Sequence, residues 1–160
     1  MVDDRTKQGR FDHQDRIIKL GHMLYALRRC EGFLPFIASL KSRDLAPTFF
    51  ELWVANILST NGYEIEFVET TGVRGSDYDL TACRDGQELC IEAKSRRSGP
   101  ILNQSTLSNA LTKARKQLPG TGPGIIFVEI PAEWTMNDDA ELTVADTMAF
   151  FFRNTSRVNG

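Results

Sequence analysis

The sequence has few of the residues that build metal clusters or disulfide frameworks. It contains 3 cysteines, Cys30, Cys83 and Cys90, without CxxC spacing, and 2 histidines, His13 and His22. Neither histidine has a cysteine or carboxylate near it at the spacing that zinc sites use. Because the cysteines are odd in number and scattered, the sequence predicts reduced thiols in a cytosolic protein and no zinc site.

Long hydrophobic runs and a strong net charge are also missing. No apolar stretch approaches the roughly 20 residues of a membrane-spanning helix, and the N-terminal segment MVDDRTKQGR is polar. We therefore expect a cytoplasmic protein without a membrane partner. The net charge is -2 and the pI is near 5.7, so no general positive field attracts nucleic acid, although a local basic patch is compatible with these values.

Several short catalytic motifs are absent as well. The chain has no GxGxxG, GxSxG or HExxH segment. Its glycine-rich stretch from Gly120 to Gly124 lacks the lysine of a phosphate-binding loop. Nucleotide-fuelled activity therefore has no support in the sequence.

The composition that remains is that of one globular domain. Of the 160 residues, 41% are hydrophobic and 25% are charged, which is enough for a buried core without metal or disulfide support. Residues 1–43 predict an N-terminal extension of two helices, Asp12 to Cys30 and Phe33 to Leu40, without chemistry of their own. The first helix has an apolar stripe of Ile17, Leu20, Leu24 and Leu27.

Residues 44–160 predict a core of helix, three strands, helix and strand, followed by a last helix. The first helix covers Leu45 to Thr60, with Pro47 in its first turn and Asn61-Gly62 as its stop. The predicted strands are Tyr63 to Glu69, Asp79 to Arg84, Gln87 to Lys94 and Ile125 to Ile130, the last one an apolar run typical of a strand covered on both faces. The remaining helices have the buried stripes Leu107, Ala110, Leu111, Ala114 and Leu118, and Val144, Met148 and Phe151 within Leu142 to Arg153.

The order of these segments predicts an α/β protein of the α+β type. Three strands in succession form a meander, and a helix then joins the third strand to the fourth. The third and fourth strands are therefore expected to run parallel. The result is a mixed central sheet flanked by helices.

Asp85-Gly86 is a strong signal for a two-residue turn between the second and third strands. Counting outwards from that turn brings Asp79 directly across from Glu92. It also brings Asp77 across from Lys94, if the pairing extends that far. Directly opposed residues have Cβ atoms about 5 Å apart.

Alternation along these strands places Asp79, Glu92 and Lys94 on one face of the sheet. The opposite face receives Leu80, Ala82, Leu89, Ile91 and Ala93. Two opposed carboxylates repel each other unless a positive charge lies between them, and a divalent cation such as magnesium fits that position. The competing interpretation is a solvated face on which the lysine merely neutralises one acid.

Asp79, followed after twelve intervening residues by Glu92-Ala93-Lys94, resembles the signature of the PD-(D/E)XK endonuclease-like superfamily. Members of that superfamily share the order helix, three strands, helix and strand, so the resemblance covers about Asp44 to Ile130. Tyr78 stands where the signature has a proline. Asp77 is a rival for the first acid, but Asp79 has the better register opposite Glu92.

The resemblance implies a nuclease that uses magnesium or manganese to hydrolyse phosphodiester bonds, with DNA favoured over RNA as the substrate. Asp79 and Glu92 would hold the metal, and Lys94 would position or activate water. Glu51 matches an additional acid found in many members, but Thr48-x-x-Glu51 is also a capping box that would use the same carboxylate at the helix start.

Basic residues around these acids are, as a group, the best candidates for phosphate contacts, although a solvated polar face is the better explanation for any single one of them. The group consists of Arg74, Arg96, Arg97, Lys113, Arg115 and Lys116, together with Gln117. Lys113 and Gln117 lie one turn apart on the second core helix. In some members of the superfamily that helix contributes a Gln or Lys to the site.

An alternative to catalysis is a silent nuclease-fold module that binds nucleic acid or a protein partner. The intact set of two acids and a lysine argues against it. For either function we expect a homodimer or a larger complex that supplies specificity. The N-terminal helices, with apolar Phe33, Leu34, Phe36 and Ile37, are the expected contact surface, and the stretch from Asn154 to Gly160 suggests that a longer parent chain would continue.

Overall fold

The computed structural model describes the backbone of residues 4–95, 103–130 and 139–155 and the side chains of residues 14–95, 103–130 and 139–153. Within these ranges the elements are α1 (Asp4–Leu27), α2 (Phe33–Ser39), α3 (Leu45–Thr60), β1 (Glu64–Phe67), β2 (Leu80–Arg84), β3 (Gln87–Lys94), α4 (Gln104–Gln117), β4 (Gly124–Val128) and α5 (Ala140–Thr155). Arg96, Arg97 and residues 156–160 lie outside the described residues.

The four strands form one mixed sheet in the order β1-β2-β3-β4. β1, β2 and β3 are an antiparallel meander, and β4 runs parallel to β3 after the crossover through α4. This arrangement confirms the predicted fold class. Among the described residues, no helix is both long enough and apolar enough to cross a membrane.

The β2–β3 hairpin has the predicted register. Arg84 pairs with Gln87, and the ladder continues to Leu80 opposite Ile91. Asp85 and Gly86 both have positive φ, at 55° and 76°, which is the conformation that a two-residue type I′ turn requires. The ladder does not extend to Asp77.

Two helical layers cover the sheet. On one face α1, α2 and α3 pack against the apolar residues of the meander, and Leu27, Leu52, Leu80 and Ile91 are at most 1% exposed. The face on the other side meets α4 and α5, where Leu107, Leu111 and Phe151 form a second cluster with Ile126 and Val128. The buried stripe predicted for α4 and the inward residues predicted for α5 are confirmed.

Some predictions for the flanking elements are wrong. Ile17 is 56% exposed, whereas Met23, which the predicted stripe did not include, is 3% exposed and lies in the core. β4 contacts both helical layers, through Phe127 on one face and Ile126 and Val128 on the other, but it is not fully covered, and Ile125 is 38% exposed.

The apolar residues of α2 do not form the expected contact surface either. Phe33 and Phe36 are buried in the same core as α3 and the meander, and Ile37 packs against that core. Their burial anchors α2 to the sheet, where both rings contact Phe67. Only Leu34, which is 77% exposed, remains available on that helix.

Gly32 is where the α1–α2 connection meets the sheet. Its φ is 69°, and a Cβ there would collide with the carbonyl oxygen of Phe67. The backbone N–H of Phe67 donates to Glu31 O at 2.9 Å, so this close approach extends the sheet edge by one bridge. A side chain at residue 32 would force the two segments apart.

We therefore expect Gly32→Ala to destabilise the protein by about 2 to 5 kcal/mol, the combined cost of left-handed strain and steric overlap. Gly86→Ala is the matched control, since its φ is 76° but an added Cβ would meet no atom within 4 Å. That variant should lose only about 1 to 2 kcal/mol from strain. Urea unfolding measures both changes, and equal losses would contradict the close packing at Gly32.

Candidate active site

Three carboxylates converge from three different elements. Glu51 projects from α3, Asp79 precedes the first residue of β2, and Glu92 lies within β3. The charges of Asp79 and Glu51 both raise the pKa of Glu92, and that of Asp79 raises the pKa of Glu51, so the three groups act on one another electrostatically. The structure therefore places Asp79, Glu92 and Glu51, all three of them predicted candidates, within electrostatic reach of one another.

Glu92 is completely buried, with 0% of its surface exposed. It forms an ion pair with the ammonium group of Lys94, and beyond that ion pair neither carboxylate oxygen has a hydrogen-bond partner among the described residues. Burial, followed by the charge of Asp79, raises the pKa of Glu92 to about 7 against the opposing effect of Lys94. The interpretation of this face as solvated is therefore wrong, because α4 packs over it.

Asp79 is half-buried beside the start of β2. Its backbone N–H donates to Ile91 O at 3.0 Å, and its Oδ2 accepts from the backbone N–H of Ala93 at 2.7 Å. These two bonds hold the carboxylate next to the third strand. Burial raises the pKa of Asp79, although the Ala93 bond and the charges of Lys94 and Arg43 act in the opposite direction.

Asp77, the rival first acid, has a different part in the structure. Its Oδ1 accepts hydrogen bonds from the N–H and hydroxyl of Thr71, at 2.7 and 2.9 Å, and from Gly72 N–H at 3.0 Å. The pKa of Asp77 is lowered, chiefly by the Thr71 backbone bond. This carboxylate closes the loop of residues 71–76 and is committed to that loop, which leaves Asp79 as the acid beside Glu92.

Lys94 is fixed by two neighbours. Besides the ion pair with Glu92, its Nζ donates to Gln117 Oε1 at 2.6 Å, and Gln117 Nε2 donates in turn to the carbonyl oxygen of Asp77 at 3.0 Å. Gln117 thus links the lysine, the last turn of α4 and the loop in one chain of hydrogen bonds. Lys94 itself is paired along the sheet with Val128 rather than with Asp77.

Glu51 is 5% exposed and binds Arg43, whose Nη2 lies 2.6 Å from Glu51 Oε1. Burial raises the pKa of Glu51 to about 7, Asp79 adds to this, and Arg43 and Lys94 oppose it. The alternative of a capping box is wrong, because α3 begins at Leu45 and the Thr48 hydroxyl donates to Asp44 O at 2.9 Å. Glu51 faces the acids instead of the helix start.

Arg43 is a residue that the sequence did not single out. It lies in the short connection between α2 and α3, within the N-terminal segment to which no chemistry was assigned. An arginine eight residues before a glutamate matches neither a helix period nor a known motif. The structure places the guanidinium of Arg43, just before the start of α3, against the Glu51 carboxylate in the second turn of that helix.

Two residues of the predicted basic rim, Arg96 and Arg97, lie outside the described residues. Arg74, Lys113 and Lys116 are exposed, and Arg115 donates to Pro119 O at 3.0 Å. Of the residues predicted for phosphate contacts, Gln117 is the one whose side chain hydrogen-bonds to Lys94. Whether the exposed residues contact phosphate stays a prediction.

The donors fit a magnesium ion held by few protein ligands. No group of three or more His, Cys, Asp and Glu side chains stands at metal-binding spacing in the described ranges 4–95, 103–130 and 139–155. Glu92 nevertheless has buried carboxylate oxygens without a hydrogen bond, next to Asp79. Magnesium commonly takes one or two carboxylates and completes its shell with water and substrate phosphate, so Asp79 and Glu92 suit it.

Comparison with known proteins adds no relative to this picture. The sequence matches no protein-family model, and no curated protein matches it. The residues of the site and their geometry are therefore the basis on which a function can be argued.

The raised pKa values predict an unusual dependence of stability on pH. Folded Glu51 and Glu92 keep their protons up to about pH 7, whereas their ordinary pKa is 4.5. The folded state therefore binds more protons than the unfolded chain in this range, and the free energy of unfolding should fall as the pH rises from about 4.5 to about 7. Glu92→Gln should make this decline shallower, whatever its effect at pH 5.

Thermal unfolding in a chelator between pH 5 and 8 tests this expectation. Glu64→Gln, which changes an exposed acid on β1, is the control and should follow the wild type. A Glu92→Gln variant with the wild-type decline would contradict the burial of a charged carboxylate at this position.

Proposed function

We propose that the protein is a magnesium- or manganese-dependent phosphodiesterase that cleaves nucleic acid. The observation that carries the proposal is the fully buried Glu92, whose carboxylate has an ion pair with Lys94 and lies beside a second acid, Asp79. A carboxylate placed in this way for structure alone would be unfavourable, because burial and a neighbouring negative charge both oppose its ionisation. Buried acids with raised pKa values beside a lysine are typical of functional sites.

In the proposed reaction Asp79 and Glu92 hold the metal through their carboxylates. A bound magnesium ion would supply positive charge to the phosphoryl oxygens as negative charge develops on them. The Ala93 N–H fixes one oxygen of Asp79, so the other is available to the ion. Glu92 brings carboxylate oxygens that no described hydrogen bond occupies.

Lys94 would position the attacking water. Its ammonium group has three N–H donors, and within the described residues two of them are directed at Glu92 and Gln117. The third can donate to a water molecule or to a phosphate oxygen. Gln117 accepts from the ammonium group, so it restricts the rotation of the lysine and keeps that third donor in one direction.

The substrate class follows from the chemistry of the site and from the resemblance. Phosphodiesters carry the negative charge that a divalent cation and a lysine neutralise together. The PD-(D/E)XK resemblance favours DNA over RNA. A homodimer or a larger complex would supply a second cut and sequence choice, because one site of this kind cleaves one strand.

The decisive experiment is a cleavage assay of wild type and Lys94→Ala. Purified protein is incubated with magnesium or manganese and a panel of linear, nicked, branched and single-stranded DNA. The variant should keep its fold by circular dichroism and lose about 100-fold to 10,000-fold of the rate, as is typical when a water-positioning group is removed. Lys41→Ala, which changes an exposed lysine in the connection between α2 and α3, is the matched control and should stay within a few-fold of wild type.

Two outcomes would count against the proposal. Wild-type cleavage that survives in Lys94→Ala would remove the lysine from the mechanism. If the wild type cuts no substrate of the panel with either metal, the protein is instead a silent module that binds nucleic acid or a protein partner.

A further inference from the structure

A cavity of about 380 Å³ lies between α2 and the segment that follows β1. Its lining is mixed: Phe36 and Phe67 contribute apolar surface, and Arg43, Glu69 and Thr70 contribute polar groups. Pockets of about 300 Å³ or more are large enough for small organic ligands. This volume therefore suits a ligand with an apolar body and several polar atoms.

Arg43 connects this cavity to the acids. Its guanidinium lines the cavity, yet its Nη2 lies 2.6 Å from Glu51 Oε1. The guanidinium carbon also lies 5.3 Å from the centre of the Phe36 ring, within the range of a cation–π contact. The side chain is 34% exposed, and within the described residues it donates one hydrogen bond, to Glu51. A guanidinium has five N–H donors, so others are available to a ligand.

With a divalent cation bound and the acids ionised, the charges around the acids would also suit a negatively charged ligand. Glu51, Asp79 and Glu92 carry three negative charges when ionised, and Arg43 and Lys94 carry two positive charges. A divalent cation would change the sum from one negative charge to one positive charge. A phosphodiester group brings one negative charge and would make the assembly neutral.

We propose that the cavity binds one nucleotide unit of the strand that is cut, next to the scissile bond, with Arg43 bound to its phosphate. This inference rests on the proposed function. Glu69 favours a nucleotide over a free phosphate as the ligand. Its carboxylate repels phosphate but accepts hydrogen bonds from a sugar hydroxyl or a base amino group. The apolar surface of Phe36 and Phe67 would pack against the sugar or the base.

The first test uses thymidine 5′-monophosphate as a probe of isotopically labelled protein in nuclear magnetic resonance. Shifts should concentrate at Gly32, Thr70 and the Arg43 side chain, and inorganic phosphate at the same concentration should give smaller ones. Arg43→Lys keeps the charge but loses the planar fork, so the nucleotide affinity should fall about tenfold or more. Thr70→Trp should fill the cavity and have the same effect without touching the acids.

The second test is kinetic and separates this inference from the proposed function. Arg43→Lys and Thr70→Trp should raise KM for DNA about tenfold with a smaller change in kcat, because both act on binding. Arg43→Gln should also lower the slope of log affinity against log salt by about 0.7 to 0.9, the effect of one lost phosphate contact. If Arg43→Gln fails to fold because it leaves the buried Glu51 carboxylate without its partner, the double variant Arg43→Gln/Glu51→Gln replaces it, since it removes that negative charge as well.

The outcomes are distinct. Wild-type cleavage with unchanged KM in both cavity variants would overturn the inference and leave the proposed function intact. Nucleotide shifts at the cavity in a protein that cleaves nothing would support the nucleotide site and defeat the proposed hydrolysis. Nucleotide shifts that map elsewhere, or none at all, would overturn the inference regardless of cleavage.

Discussion

Glu92 lies in the middle of the third strand, and α4 packs over it, so its carboxylate has lost contact with solvent water. An ionised group in this position is unfavourable by several kcal/mol unless other charges or donors compensate. Lys94 provides one such charge two residues later on the same face. Asp79 places a second negative charge beside Glu92, so the positive charge of Lys94 does not fully balance the acids.

The other contacts of the site follow from this constraint. Gln117 holds Lys94 against the acid and ties it to the carbonyl of Asp77, and the Asp77 carboxylate in turn closes the loop before β2. That loop delivers Asp79 to the edge of β3, where Ala93 N–H fixes it. The positions of the second acid and the lysine are therefore coupled through one chain of hydrogen bonds.

The N-terminal helices belong to the same arrangement. Phe33 and Phe36 bury α2 against Phe67 of β1, and the connection that leaves α2 carries Arg43 to Glu51. Core packing on one side of the sheet thus determines where a cation meets the acids. A segment that looks like an appendage in the sequence contributes a charged group to the site.

Short sequence signals were sufficient to predict the turns and helix ends that depend on neighbouring residues. Asp85-Gly86 demands a turn with two positive φ angles, and that turn fixes the register that faces Asp79 towards Glu92. The bounds of α3 followed from Pro47 and Asn61-Gly62 in the same way. These features depend on neighbours a few residues apart in the chain.

Features that depend on tertiary packing were not predictable. Ile17 lies on the predicted apolar stripe and is nevertheless exposed, and the partial exposure of β4 depends on which strand ends the sheet. The capping box is absent because α3 begins at Leu45, before Thr48, and Glu51 binds Arg43 instead. Likewise, the burial of Glu92 required α4 to pack over its face, which alternation alone could not reveal.

Crystals soaked in manganese test the central claim most directly, because anomalous scattering locates the ion independently of activity. If both acids bind the ion, an anomalous peak should lie about 2.1 Å from carboxylate oxygens of both Asp79 and Glu92, and Asp79→Ala crystals should have no such peak. Manganese bound elsewhere or not at all, in a wild-type crystal whose lattice contacts leave the site accessible, would contradict metal binding by these two acids.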